Sequence, residues 1–149
     1  MIDRFLALFT DPPKTRTRHD IHMAGAALLV EIMRADHAVG DDEIAALKSS
    51  LIRIFGLTNA DADALIQRAR TQVTASNDLF QFTDVVNSQW NDDEKYQLMV
   101  GLWQVAYADQ VLDKYEEHMV RRIADLLYVP HSQFIRARNQ ARDGQLPSS

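Results

Sequence analysis

The chain has no cysteine among its 149 residues, and it has only five glycines and four prolines. The lack of cysteine excludes disulfides, thiolate metal sites and cysteine nucleophiles. So few glycines and prolines favour helices over a β architecture with many tight turns. No apolar run approaches the roughly 20 residues of a membrane span, and the start of the chain lacks a signal-peptide pattern. We therefore expect a soluble, cytoplasmic protein with no transmembrane segment.

Clustered positive charge is also scarce. The formal net charge is −5, whereas nucleic-acid binding needs grouped cations that contact phosphates. Basic residues gather at both ends of the chain, within residues 14–18 and 136–142, without interleaved aromatic residues. A solvated face is the better interpretation of both groups, and no nucleic-acid partner is expected.

Apolar residues recur at helical spacing along most of the chain, and no segment shows a sustained period of two. The fold class predicted is all-α, a compact bundle of about seven or eight helices in one domain. Residues 1–19 are expected to form a short helix and a linker, residues 20–142 the helical domain, and residues 143–149 a disordered tail. The aromatic residues expected in the core are Phe80, Phe82, Trp90 and Trp103, and those expected at the solvated surface are His19 and His22.

An internal repeat appears when the sequence is shifted by 73 positions, which aligns residues 35–43 with residues 108–116. The shared pattern is helix, Ala-Asp-x-x-apolar-x-x-x-Glu, helix, turn, helix. With one residue deleted, the alignment continues from Leu57 onto Val129. The pattern predicts two units, at about residues 20–75 and 92–142, related by pseudo-symmetry. The apolar loop residues, Val39 and Leu112, are expected to plug into the core.

Each repeat carries a dense group of carboxylates in and after its loop. Like charges at this spacing repel one another unless a cation or a helix end compensates. Hard divalent cations such as Ca²⁺ and Mg²⁺ prefer oxygen ligands, and a transition metal would be favoured if His37 also coordinated. The carboxylates are Asp36, Asp41, Asp42 and Glu43 in the first repeat, and Asp109, Asp113, Glu116 and Glu117 in the second.

Helix capping is the alternative explanation for these carboxylates. Glu116 follows Asp113 by three residues, as in a capping box, and Asp41 and Glu43 lie in a first turn, where the helix dipole favours anions. Capping does not explain Asp36 or its counterpart Asp109, which end the preceding helices. The spacing is also not that of an EF-hand, because the alternating Asp/Asn run and its glycine are missing. The residues alone leave both explanations open.

The two loops resemble the repeated Ala-Asp-Gly-x-apolar-x-x-x-Glu signature of TerB-like proteins, which are named for bacterial tellurite resistance. The resemblance spans roughly residues 20–142. It implies an all-α bundle with an acidic pole proposed to bind divalent metal, and roles in bacterial stress-response systems linked to membranes. His37 and Gln110 stand where the family usually has glycine. The ligands implied by the resemblance are Asp36, Asp41, Glu43, Asp109, Asp113 and Glu116, with His37 as an additional candidate.

The function predicted is a non-enzymatic TerB-like module that binds a divalent cation, with Ca²⁺ or Mg²⁺ favoured, or a basic protein partner at its acidic pole. The alternative is a metal-independent docking module whose acidic face meets a cationic protein surface. A carboxylate-based hydrolase is least favoured, because no nucleophile lies beside the carboxylates. Peripheral membrane association, through the apolar residues 2–9, and the oligomeric state are left open.

Overall fold

The computed structural model describes residues 18–35, 40–75, 79–108 and 114–145. These ranges form seven α-helices and contain no strand, which confirms the all-α prediction. The predicted helix at residues 2–9 and the two predicted plugs, Val39 and Leu112, lie outside them. The helices are α1 (Arg18–Ala35), α2 (Asp41–Phe55), α3 (Asn59–Ala75), α4 (Phe80–Gln89), α5 (Asp92–Ala106), α6 (Lys114–Leu126) and α7 (His131–Gln145).

Helix ends follow signals that the sequence carries. The side chain of Asn91 accepts a hydrogen bond from the backbone N–H of Glu94 at 2.8 Å, and the Glu94 carboxylate accepts one from the N–H of Asn91 at 2.9 Å. This capping box starts α5. Thr58 Oγ1 accepts a hydrogen bond from the N–H of Asp61 at 3.1 Å and starts α3. The last helix, α7, runs to Gln145, past the predicted start of the tail at residue 143.

Helices α1 and α5 form the centre of the bundle. Helix α1 contacts α2, α3, α4, α5 and α6, and α5 contacts α1, α2, α6 and α7. Every residue from 24 to 30 is buried, because α1 is covered on most sides. Helix α1 packs on α3 as α5 packs on α7. Likewise, α2 packs on α5 as α6 packs on α1. These pairings are consistent with the internal repeat, which stays a prediction.

The predicted aromatic core is confirmed for three residues and wrong for one. Phe82, Trp90 and Trp103 are buried, whereas Phe80 is 53% exposed. Phe80 and Phe82 are two positions apart in the first turn of α4, and side chains at that spacing do not share a helix face. Only one of the two can therefore point into the core.

His22, predicted at the solvated surface, is partly exposed and also packs against an aromatic ring. The His22 ring stacks on Phe55 with centroids 4.0 Å apart, and Phe55 meets Trp90 edge-on at 5.5 Å. Gly25 lies against this cluster: a Cβ at that position would come within 2.7 Å of the Trp90 ring and 3.1 Å of the Phe55 ring. The aromatic cluster can therefore pack this closely only because position 25 of α1 has no side chain.

Gly25→Ala is expected to lower the free energy of unfolding by about 1–3 kcal/mol, because overpacking forces rigid rings to shift and outweighs the better helix propensity of alanine. Gly40→Ser is the matched control, since nothing lies within 4 Å of a Cβ there and serine is a good N-cap. Urea unfolding of the two variants measures the difference. Equal stability of both variants would contradict the close approach.

Helices α2 and α6 are each followed by a residue in the left-handed backbone conformation. Gly56 has φ 67°, and Tyr128, at the equivalent position directly before the aligned Val129, has φ 58°. Asn87 Nδ2 donates to the Leu126 carbonyl at 2.9 Å, and Lys95 Nζ donates to the Leu127 carbonyl at 3.2 Å, so both side chains hold the end of α6. Tyr128 is 81% exposed and gains little burial to offset its backbone strain.

Substitutions at these two helix ends are expected to have opposite effects on stability. Gly56→Ala should lower the free energy of unfolding by about 1 kcal/mol, because alanine is strained at positive φ. Tyr128→Gly should raise it by about 0.5–1 kcal/mol, since the penalty of an L residue there exceeds the added chain entropy of glycine. Thermal or urea unfolding checks both, and a loss of stability in Tyr128→Gly would mean that the exposed ring stabilises the fold.

Candidate functional site

Helix α2 runs antiparallel to α5, and polar contacts fix their register. Ser50 Oγ donates to Gln104 Oε1 at 3.1 Å, and Arg53 Nη2 donates to the same oxygen at 3.2 Å. Further along α2, Arg53 Nη1 also donates to Gln97 Oε1 on α5. Because the contacts move back along α5 as they advance along α2, the first turn of α2 lies at the end of the bundle where α5 finishes.

The ends of α1 and α5 and the starts of α2 and α6 therefore lie toward one end of the bundle. Five residues, 36–40, join the end of α1 to the start of α2, and seven residues, 107–113, join the end of α5 to the start of α6. At the maximum reach of the chain these stretches span roughly 20 Å and roughly 30 Å. We name the described carboxylates at these ends the acidic pole: Asp41, Asp42, Glu43, Glu116 and Glu117.

The acidic pole contains two buried carboxylates at equivalent positions. Glu43 is 2% exposed and Glu116 is 1% exposed. The other buried polar residues in the described part of the chain are Ser50 and Thr83. By contrast, Asp41 and Asp42 are exposed and Glu117 is partly exposed. Loss of hydration makes a buried carboxylate costly unless hydrogen bonds or a cation compensate for it. Burial thus separates two glutamates from their acidic neighbours.

The sequence itself carries a signal for this burial. Leu47 and Val120, four residues after Glu43 and Glu116, are fully buried. Side chains four residues apart share a helix face. Each glutamate therefore extends the apolar stripe of its helix by one turn, which predicts an inward orientation.

Three of the seven predicted ligands lie in the described ranges. Asp41 is exposed, whereas Glu43 and Glu116 are buried. Within residues 18–35, 40–75, 79–108 and 114–145, no group of three or more His, Asp or Glu side chains is arranged to hold a metal ion. A cation site on the two glutamates would therefore need ligands from the connections. The predicted ligands outside the described ranges are Asp36, His37, Asp109 and Asp113.

A further partly buried carboxylate, Glu31, lies one turn before the end of α1 and was not predicted from the sequence. Its Oε1 is 3.9 Å from Arg34 Nη1, and Arg34 also donates to the Val73 carbonyl at 3.2 Å. Burial raises the pKa of Glu31 above its ordinary value of 4.5, while the positive charges of Arg34 and Arg122 offset part of that rise. Burial therefore outweighs the two cations.

The folded state holds the Glu31 proton more tightly than the unfolded chain does, because its pKa is raised. The free energy of unfolding therefore falls as the pH rises above 4.5, and this loss is absent at pH values below 4.5. Glu31→Gln is expected to raise the melting temperature at pH 7, and the gain should vanish near pH 4, where both chains carry a neutral side chain. Thermal melts across this pH range test the sign. A variant that melts lower than wild type at pH 7 would show that the attraction of Arg34 and Arg122 outweighs burial.

The described cavities lie away from the acidic pole. One of about 420 Å³ lies between α1 and α3, lined by Asp20, Met23, Gln67, Arg68, Thr71 and Gln72. Another of about 320 Å³ lies between α5 and α7. Neither contains a carboxylate of the acidic pole. None of the described helices combines the length and apolarity needed to cross a membrane.

Comparison with known proteins adds a family and a fold relative. The family model described as tellurite resistance protein TerB matches residues 22–139. A crystal structure of a protein of unknown function from Porphyromonas gingivalis W83 has a TM-score of 0.63 and 17% sequence identity, and the match covers 87% of this chain and 98% of that chain. At this identity the likeness concerns the fold alone. No curated protein matches the chain.

Proposed function

The chain belongs to the TerB family, and from this premise we propose that it is a non-catalytic binding module that holds a divalent cation at the acidic pole. The observation that supports the proposal is the burial of Glu43 and Glu116, at equivalent positions of helices whose first turns lie at the same end of the bundle. No catalytic role is proposed for any residue.

Cation binding would offset the cost of this burial. Two carboxylates held in a low-dielectric environment attract a divalent ion more strongly than exposed ones do. Ca²⁺ and Mg²⁺ take oxygen ligands, which fits a set dominated by carboxylates. Glu43 and Glu116 would be the fixed ligands, while Asp41 and the connection residues Asp36, Asp109 and Asp113 would complete the set. Participation of His37 would shift the preference toward a transition metal.

Metal-independent docking is the second candidate, and the exposed carboxylates favour it. Asp41 and Asp42 are exposed in the first turn of α2, and Glu117 is partly exposed on α6. A cationic protein surface would meet these residues, not the buried Glu43 and Glu116. The two functions therefore depend on different side chains of the same pole.

The test is thermal unfolding of the wild type and of Glu43→Gln/Glu116→Gln, first with EDTA and then with Ca²⁺, Mg²⁺, Mn²⁺ or Zn²⁺. A cation that binds only the folded state, at 100 times its Kd, is expected to add roughly 2.7 kcal/mol to the wild-type stability. The double variant should not respond, because both fixed ligands have lost their charge.

Asp92→Asn/Asp93→Asn is the matched control, since it removes the same charge from the first turn of α5, at the other end of the bundle. This control should respond to the cation as the wild type does. If no cation shifts the wild-type melting temperature, or if both double variants lose the response equally, the metal proposal is wrong. Retained binding to a cationic protein would then direct attention to Asp41 and Asp42.

A further inference from the structure

The last two turns of α7 bring two arginines to one acceptor. Arg138 Nη2 donates to Asn139 Oδ1 at 3.5 Å, and Arg142 Nη2 donates to the same oxygen at 3.1 Å. Like charges four residues apart on a helix repel each other. One neutral amide oxygen therefore serves two guanidinium groups.

Hydrogen bonds within the described part of the chain satisfy Arg138 only in part. The residue is partly buried, and its Nε is fully buried without a hydrogen-bond acceptor. No carboxylate of the described chain lies within ion-pair distance of it, whereas Arg34 has Glu31 at 3.9 Å and Arg121 has Glu117 at 3.9 Å. A buried N–H without an acceptor destabilises the folded state. This donor set is therefore incomplete.

Other arginines of the bundle show that this arrangement is unusual for the chain. Arg53, which is also partly buried, donates to the side chains of Gln97 and Gln104. Arg142 has the Asp143 carboxylate at 4.0 Å, but both side chains are mostly exposed, so the pair neutralises little charge. The α7 dipole favours cations in the last turn, which accounts for Arg142 but not for the buried Nε of Arg138.

Arg136 lies two residues from Arg138, on the opposite flank of α7. Its guanidinium stacks over the Tyr96 ring, 5.4 Å from the centroid. It also lines the cavity between α5 and α7 together with Asp92 and Asp93. Arg136 thus has aromatic and acidic neighbours that Arg138 lacks, although both carry the same charge on the same helix.

From this contrast we propose that Arg138 and Arg142 bind a phosphate group. The planar guanidinium donates two parallel hydrogen bonds to phosphate oxygens, so a phosphate beside Asn139 would be held by the terminal nitrogens of both arginines, whose Nη2 atoms already converge on that residue. A phosphate dianion would also balance the positive charges of the two neighbouring arginines. The chemistry fits inorganic phosphate and the phosphate monoester of a small ligand equally.

The phosphate site and the acidic pole lie at opposite ends of the bundle. Helix α7 runs antiparallel to α5, because Trp103 packs on Phe134 while Tyr96 donates to Gln140 Oε1 at 2.7 Å. The end of α7 therefore lies beside the start of α5, away from the ends of α1 and α5. Phosphate binding does not depend on a cation at the pole, so each proposal can fail without the other.

The test is a titration of the full chain with sodium phosphate at pH 7.5, in EDTA and at constant ionic strength, followed by calorimetry and by ¹H–¹⁵N NMR. The Arg138 Nε–Hε resonance of the wild type is expected to shift. Arg138→Gln should weaken binding at least about tenfold, as expected for the loss of charge-assisted hydrogen bonds. Arg136→Gln, the control with the same loss of charge, should stay within about twofold of the wild type.

Four results would overturn the phosphate site. They are no phosphate binding by the wild type, equal weakening in the Arg138 and Arg136 variants, binding of sodium acetate as tight as that of phosphate, or an unchanged Arg138 resonance at saturation. If Arg138→Gln does not fold, Arg142→Gln and Arg138→Lys replace it, and each should weaken binding more than Arg136→Gln does. Titration with glycerol 3-phosphate separates a monoester ligand, which would bind more tightly, from inorganic phosphate.

Discussion

The close crossing of α2 and α5 sets the register on which the acidic pole depends. A Cβ on Gly101 would lie 3.3 Å from both Leu29 and Ser50, so the three central helices α1, α2 and α5 approach one another closely at this point. The hydrogen bonds of Ser50 and Arg53 to Gln104 then fix α2 along α5. Close-packed side chains allow few alternative registers. Because α2 begins where α5 ends, the buried glutamates in the first turns of α2 and α6 lie at one end of the bundle.

Burial at that end distinguishes two kinds of acidic residue that look the same in the sequence. Exposed aspartates in a first turn interact favourably with the helix dipole at little cost. Glu43 and Glu116 instead give up hydration within the apolar stripes of α2 and α6, which is costly to the extent that hydrogen bonds or a cation do not compensate for it. Natural proteins tend to keep such costs at functional sites. The two glutamates, more than the number of acidic residues around them, therefore carry the argument for a binding site.

The sequence predicted the features that depend on local physics. Helical periodicity predicted the all-α fold, and residues typical of helix caps stand in the sequence at the starts of α3 and α5, Thr58 and Asn91, and at the end of α2, Gly56. It was less informative where tertiary contacts decide. Phe80 and Phe82 are both aromatic, and only the packing of α4 on α1 determines which one is buried. The left-handed Tyr128 was not predicted either, because tyrosine carries no turn signal and only alignment with Gly56 marks the position.

Carboxylates lie at both ends of the bundle, but the two arginines of the proposed phosphate site do not. The carboxylates of the acidic pole lie where α5 ends, while Arg138 and Arg142 lie where it begins, at the end that also carries the acidic first turn of α5 with Asp92, Asp93 and Glu94. This arrangement does not follow from the net charge of −5, which describes the chain as a whole. Ion pairs elsewhere, such as Lys48 with Asp63 at 3.2 Å, neutralise charge locally on exposed helix faces. Buried charges are screened by salt much less than exposed ones are. The ligands of this bundle should therefore be sought at its two ends, where cations and anions would bind at separate sites.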